Sequence, residues 1–153
     1  MPTPLVRPAV LLAVVATVAA GCGGPRPPDL APVQITVTLN GQPLPNARVV
    51  FTPTTPGYAG EAISAGVTDD SGKATLTCNG KPGACTGPNS VTVAEGPAGD
   101  DRERDDASQS VASPAQRKLK NRPIPSRYAV AGQTDLTIEI KAGQVDYQLD
   151  LKR

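Results

Sequence analysis

The chain has 153 residues and a formal net charge of +1, with 17 prolines, 15 glycines, three tyrosines, one phenylalanine and neither histidine nor tryptophan. That is room for one domain. The many breakers exclude a long helical bundle, and the balanced charge excludes a strongly basic nucleic-acid binder. Without histidine the usual general base and the usual catalytic metal ligand are missing.

The chain opens with Arg7 as its one basic side chain before an uncharged apolar run, Ala9 to Ala20, of 12 residues. A membrane-crossing helix needs about 20 such residues, so the run fits the core of a secretory signal better than a permanent span. It ends in Ala19-Ala20-Gly21-Cys22. Small residues before a lone cysteine resemble the bacterial lipobox, although Ala19 stands where leucine is commonest. The resemblance implies cleavage before Cys22, so that residues 1–21 are a lipoprotein signal peptide. It also implies that Cys22 carries a diacylglycerol with further fatty-acyl chains of the palmitate type. Such chains make a stable anchor, at about 0.8 kcal/mol per buried methylene. The stretch 22–32, rich in Gly and Pro, reads as a tether. The expected location is the cell envelope, at the inner or outer membrane and facing the periplasm or the exterior.

With Cys22 acylated, Cys78 and Cys85 remain. They flank Asn79-Gly80-Lys81-Pro82-Gly83-Ala84, a turn-rich segment that can bring its ends together. In an oxidising compartment the pair is expected to form a disulfide, worth about 2–3 kcal/mol in the chain-entropy picture. A zinc site would need further soft ligands, and the spacing is not the Cys-x-x-Cys of redox catalysts.

From residue 33 the chain reads as short strands. Val33, Ile35, Val37 and Leu39 alternate with polar residues, the pattern of a half-buried strand. Asn40-Gly41 is a strong turn signal. Ala47–Phe51 gives a second strand with Ala47, Val49 and Phe51 inward. Ala62–Val67 gives a third. Asp69-Asp70-Ser71-Gly72 is a turn before a fourth, Lys73–Thr77, and Ser90–Ala94 a fifth. Leu136, Ile138 and Ile140 mark a sixth, and Val145, Tyr147, Leu149 and Leu151 a seventh. The last two read as an antiparallel hairpin across Ala142-Gly143. Seven such strands predict an all-β fold, an antiparallel β-sandwich over residues 33–153 with Phe51 and Tyr147 as its largest core members.

Between the fifth and sixth strands, residues 96–125 lack periodicity. Asp100–Asp106 carries five acids and two bases, and Arg117, Lys118, Lys120, Arg122 and Arg127 follow with no acid among them. Charge blocks of this kind predict a mobile, solvated insertion. The sharper alternative is a docking loop whose basic half meets an anionic polymer or membrane surface.

Two segments carry a family resemblance. Val37-Thr38-Leu39-Asn40-Gly41-Gln42-Pro43-Leu44-Pro45-Asn46-Ala47-Arg48-Val49-Val50-Phe51 resembles the opening of carboxypeptidase regulatory-like domains. Gly66-Val67-Thr68-Asp69-Asp70-Ser71-Gly72-Lys73-Ala74-Thr75-Leu76 resembles their Thr-Asp-x-x-Gly signature. Ile124-Pro125-Ser126-Arg127-Tyr128 with the following strands is similar to the tail of small planctomycete-type lipoproteins built on this domain. Pro88-Asn89-Ser90-Val91 departs from the family's Pro-Gly and Tyr at the fifth strand. The resemblance implies a transthyretin-like or immunoglobulin-like sandwich with no catalytic residues of its own.

Motif by motif, catalysis finds little support. Ser71-Gly72-Lys73 is not a Ser-x-x-Lys nucleophile and sits on a turn. Gly66–Lys73 misses the spacing of a phosphate loop, and Ala74 stands where Ser or Thr would hold magnesium. An EF-hand from Asp69 would need Glu where Gly80 stands, so Asp69 is expected to serve its own turn. Paired carboxylates for glycoside hydrolysis would want stacking aromatics. No catalytic residue, cofactor or metal ligand is therefore assigned. The expected function is that of a lipid-anchored envelope protein with a non-catalytic structural or binding domain. Its partners are the membrane, through Cys22, and a protein or polysaccharide; Tyr58 and Tyr128 are the aromatics available to a sugar. The rival is an envelope hydrolase or metal-dependent enzyme with a site that no motif shows.

Overall fold

A computed structural model describes residues 29–56, 58, 62–97, 119 and 121–153. Residues 1–28, and with them Cys22 and its signal, lie outside the described residues.

Among the described residues the chain is all-β, with twelve strands and one 3-10 turn, Ser126–Tyr128. The strands are β1 Leu30–Ala31, β2 Gln34–Leu39, β3 Gln42–Pro43, β4 Ala47–Pro53, β5 Ser64–Val67 and β6 Lys73–Thr75. Then come β7 Thr77–Cys78, β8 Lys81–Pro82, β9 Ala84–Cys85, β10 Gly87–Glu95, β11 Thr137–Ile140 and β12 Asp146–Leu151. A six-stranded antiparallel sheet runs β11-β10-β4-β5-β7-β8. A four-stranded sheet has β2 at its centre, with β12 on one side and β3 and β6 sharing the other. β1 and β9 form a small sheet of their own.

Alternation explains the packing. On β2 and β12 every second residue is buried: Ile35, Val37 and Leu39, then Tyr147, Leu149 and Leu151. β4 and β10 do the same with Ala47, Val49, Phe51, Val91 and Val93. Both larger sheets thus feed one core. Phe51 is fully buried, and Tyr147 is buried with its hydroxyl accepting the Lys141 N–H at 2.8 Å.

Asn40-Gly41 closes a two-residue hairpin between β2 and β3, with φ of 53° and 75° as a type I′ turn requires. Asn79-Gly80 repeats the device between β7 and β8, with φ of 49° and 76°.

Three expectations change. The fourth strand is two: β6 pairs with β2 and β7 with β5, so the chain changes sheets at the fully buried Leu76. Leu76 holds that crossing by donating to Val33 O at 3.1 Å and accepting from Gly83 N at 2.7 Å. Next, β11 and β12 are not a hairpin. β11 lies antiparallel to β10 in one sheet, and β12 lies parallel to β2 in the other. Accordingly Ile140 is buried, Leu136 and Ile138 only pack against the core's margin, and Val145 is exposed. Finally, the insertion expected at 96–125 is built into the domain at both ends: Gly96 and Ile124 are buried. The charged stretch 98–118 lies outside the described residues.

Candidate functional site

The two segments that carry the family resemblance meet. After β3 the chain crosses from one sheet to the other through Leu44–Asn46, and Thr68 fastens that crossing. The Thr68 hydroxyl donates to Leu44 O at 2.7 Å and accepts from Ala47 N at 2.8 Å. The Thr68 N–H donates to Ala47 O, and the Asn46 N–H to Thr68 O, each at 2.9 Å. One residue on, the Asp69 carboxylate accepts from Ser71 N at 2.8 Å, Ser71 Oγ at 2.7 Å and Lys73 N at 3.0 Å. The Ser71 hydroxyl, then the Lys73 amide, hold the Asp69 carboxyl below its ordinary pKa. Gly72 completes the turn at φ 78°; a Cβ there would stand 2.6 Å from Val37 O. Ser71, Lys73 and Asp69 thus build a turn. Among the described residues no three His, Cys, Asp or Glu side chains stand close enough to hold a metal ion.

A second joint closes the foot of the insertion. The Asn46 carbonyl, at a residue with φ 48°, accepts from Gly96 N, where the insertion leaves, and from Arg122 Nη2, where it returns, each at 2.9 Å. Arg122 Nη2 also donates to Pro45 O. Arg122 Nε lies 2.6 Å from Glu95 Oε2, with side chains 2% and 7% exposed, and the second Glu95 oxygen accepts from Ile124 N at 3.0 Å. Burial lowers the Arg122 pKa, and the Glu95 charge opposes that shift. A bidentate-capable guanidinium therefore serves as an internal clamp.

The third joint is at the exit of β12. The Tyr128 hydroxyl donates to Lys152 O at 2.9 Å and accepts from Lys152 N at 3.1 Å. Arg127 lies over the Tyr128 ring, 4.7 Å from its centroid, and donates to Tyr128 Oη at 3.1 Å and to Lys152 O. Of the basic residues assigned to a docking surface, Arg122 is thus engaged in a buried pair, and Arg127, though exposed, is tied to Tyr128 and Lys152. Tyr58 and Tyr128, the aromatics available to a sugar, are both buried, as are Phe51 and Tyr147. The Ile124–Tyr128 segment is legible as a motif because Ile124 fills the core and Tyr128 ties down the last strand.

The remaining feature is the pair of cysteines. Cys78 and Cys85 stand as free thiols, both buried, and share one small cluster with Ala62. Cys85 Sγ lies 3.6 Å from Ala62 O. Burial pushes the Cys85 thiol up, and the charge and hydrogen bond of the adjacent Cys78 add to the shift. Around them, β9 carries the lead-in strand β1: Leu30 pairs with Cys85, Ala31 with Ala84, and Thr86 N donates to Asp29 O at 2.9 Å. Gly83, at φ 122°, lets this approach happen, since a Cβ there would stand 2.4 Å from Ala31 O. Asn89, buried at the departure from the family pattern, donates to Cys85 O and Gly87 O at 2.9 Å each. Sequence reading missed this role for Gly83 and Asn89; the glycine between two cysteines was the available signal.

Compared with protein-family profiles, curated proteins and solved structures, the chain matches none. Among the described residues no helix is long and apolar enough to cross a membrane.

Proposed function

We propose that the protein is a lipid-anchored component of a bacterial cell envelope, held at the membrane through acylated Cys22 and presenting a non-catalytic structural or binding domain. On this reading the domain is a sandwich of the transthyretin-like or immunoglobulin-like type, antiparallel except for the β2–β12 pair, akin to carboxypeptidase regulatory-like domains. The single observation that carries the reading is what its motif residues do. Thr68, Asp69, Gly72, Ile124 and Tyr128 are each engaged in holding strands and turns together. The chain also enters the domain through β1, directly after the Gly- and Pro-rich stretch that follows Cys22. All four aromatics are buried, so no ring is offered for stacking on a sugar, and a protein partner fits better than a polysaccharide.

The anchor is tested by feeding cells a palmitate analogue. The wild-type protein is expected to take the label and sediment with membranes. Cys22→Ala is expected to do neither. An unlabelled, soluble wild type would sink the proposal.

A further inference from the structure

Three features of the lead-in region need a common explanation. First, β1 and β9 form a two-stranded sheet that shares no backbone ladder with either larger sheet. Ala31 and Ala84 pack it on the main core, and beyond that its hydrogen bonds to the rest run singly, at Gly83 N to Leu76 O, Leu76 N to Val33 O and the Asn89 amide to Cys85 O. Second, Cys85 belongs to that small sheet while Cys78, on β7, belongs to the six-stranded one. Third, the two thiols lie together in one buried cluster, across a boundary that no strand ladder bridges.

We propose that Cys78 and Cys85 are an oxidisable dithiol whose closure to a disulfide fastens the lead-in strand to the six-stranded sheet. The co-reactant is a disulfide, on a small molecule or on a thiol-oxidising protein. One cysteine thiolate attacks the oxidant's S–S bond, forming a mixed disulfide and releasing one thiolate. The other cysteine, deprotonated, attacks the mixed disulfide and releases the second. Two electrons pass to the oxidant, and the two protons lost by the cysteines go to the released thiolates. The bond joins β7 to β9, and among the described residues β9 is the one strand that β1 pairs with. Closure therefore acts on the last stretch of chain before the domain's core, whether or not Cys22 is acylated.

Burial and the raised Cys85 pKa make the thiolate scarce in the folded domain, so closure needs opening of this small sheet and is slow at neutral pH. The same burial shields the bond once formed.

The test uses the full chain with Cys22→Ser, which leaves only these two thiols, treated with glutathione disulfide or with dithiothreitol. Intact mass, alkylation and hydrogen exchange are read on both samples. The oxidised sample is expected to lose two hydrogens, carry no glutathione and resist alkylation. Amides of Leu30, Ala31, Val33 and residues 84–86 are expected to exchange about tenfold more slowly than in the reduced sample. Dithiothreitol is expected to restore the faster exchange. Cys78→Ala, with one thiol left, is expected to show the fast exchange under both treatments. Two alkylatable thiols after oxidation, a stable glutathione adduct, or a closed disulfide with unchanged exchange at Leu30, Ala31 and Val33 would each overturn the proposal.

Discussion

Asp69 shows how a motif residue acts through local chemistry. Its carboxylate replaces the backbone partners that a tight turn leaves open, with Ser71 and Lys73 as donors. Those donors favour the ionised form, so the folded pKa lies below the ordinary value of about 3.9. The linkage follows from that sign. The contribution is fully present above the unfolded pKa and is lost as pH falls through the folded one. Asp69→Ala is therefore expected to melt at a lower temperature than wild type at neutral pH. The difference should shrink as melts are taken from pH 5 towards pH 2. An equal gap at every pH would mean that the carboxylate's charge does not stabilise the turn. Composition and spacing were enough to see this residue, because an Asx-turn is made by neighbours in sequence.

At the scale of elements, sequence pattern and structure part where partners are distant. Alternation in β2, β4 and β12 shows which side chains turn inward, and those are buried. It says nothing of which strand lies alongside, so Leu136–Ile140 and Val145–Leu151 read as a hairpin although they belong to different sheets. The two-residue strands β1, β3, β7, β8 and β9 are too short to show any period. Arg122 was hidden differently. Placed among Arg117, Lys118 and Lys120, it looked like one more solvated charge, whereas Glu95, 27 positions earlier, gives it a buried counter-charge. Glu95→Gln leaves that guanidinium buried without a counter-charge, at a cost of about 3–5 kcal/mol, measured by urea unfolding. Pairing it with Arg122→Met should recover much of the loss, since both charges then leave the interior. A Glu95→Gln cost near zero would show that the return of the insertion does not depend on this pair.

At the scale of the whole molecule, the path of the chain runs from β1 into β2 and leaves through β12, beside β2 and pointing the same way. Gln34 faces Asp146 at one end of that ladder and Leu39 faces Leu151 at the other, with six paired positions between and including them. A pull between the lead-in and the exit of β12 therefore drags the two strands past each other along their length. Every rung shares the load and all must fail together, as in a lap joint. A pull applied at Asp146 instead would open the ladder from one end, rung by rung, like a zipper. In single-molecule stretching of the full chain, handles at Asp29 and Lys152 should rupture at clearly higher force than handles at Asp29 and Asp146. Equal forces would mean that this ladder does not carry the load. For a domain tied to a surface at one end and gripped at the other, the parallel pairing of first and last long strands makes tension the direction it resists best.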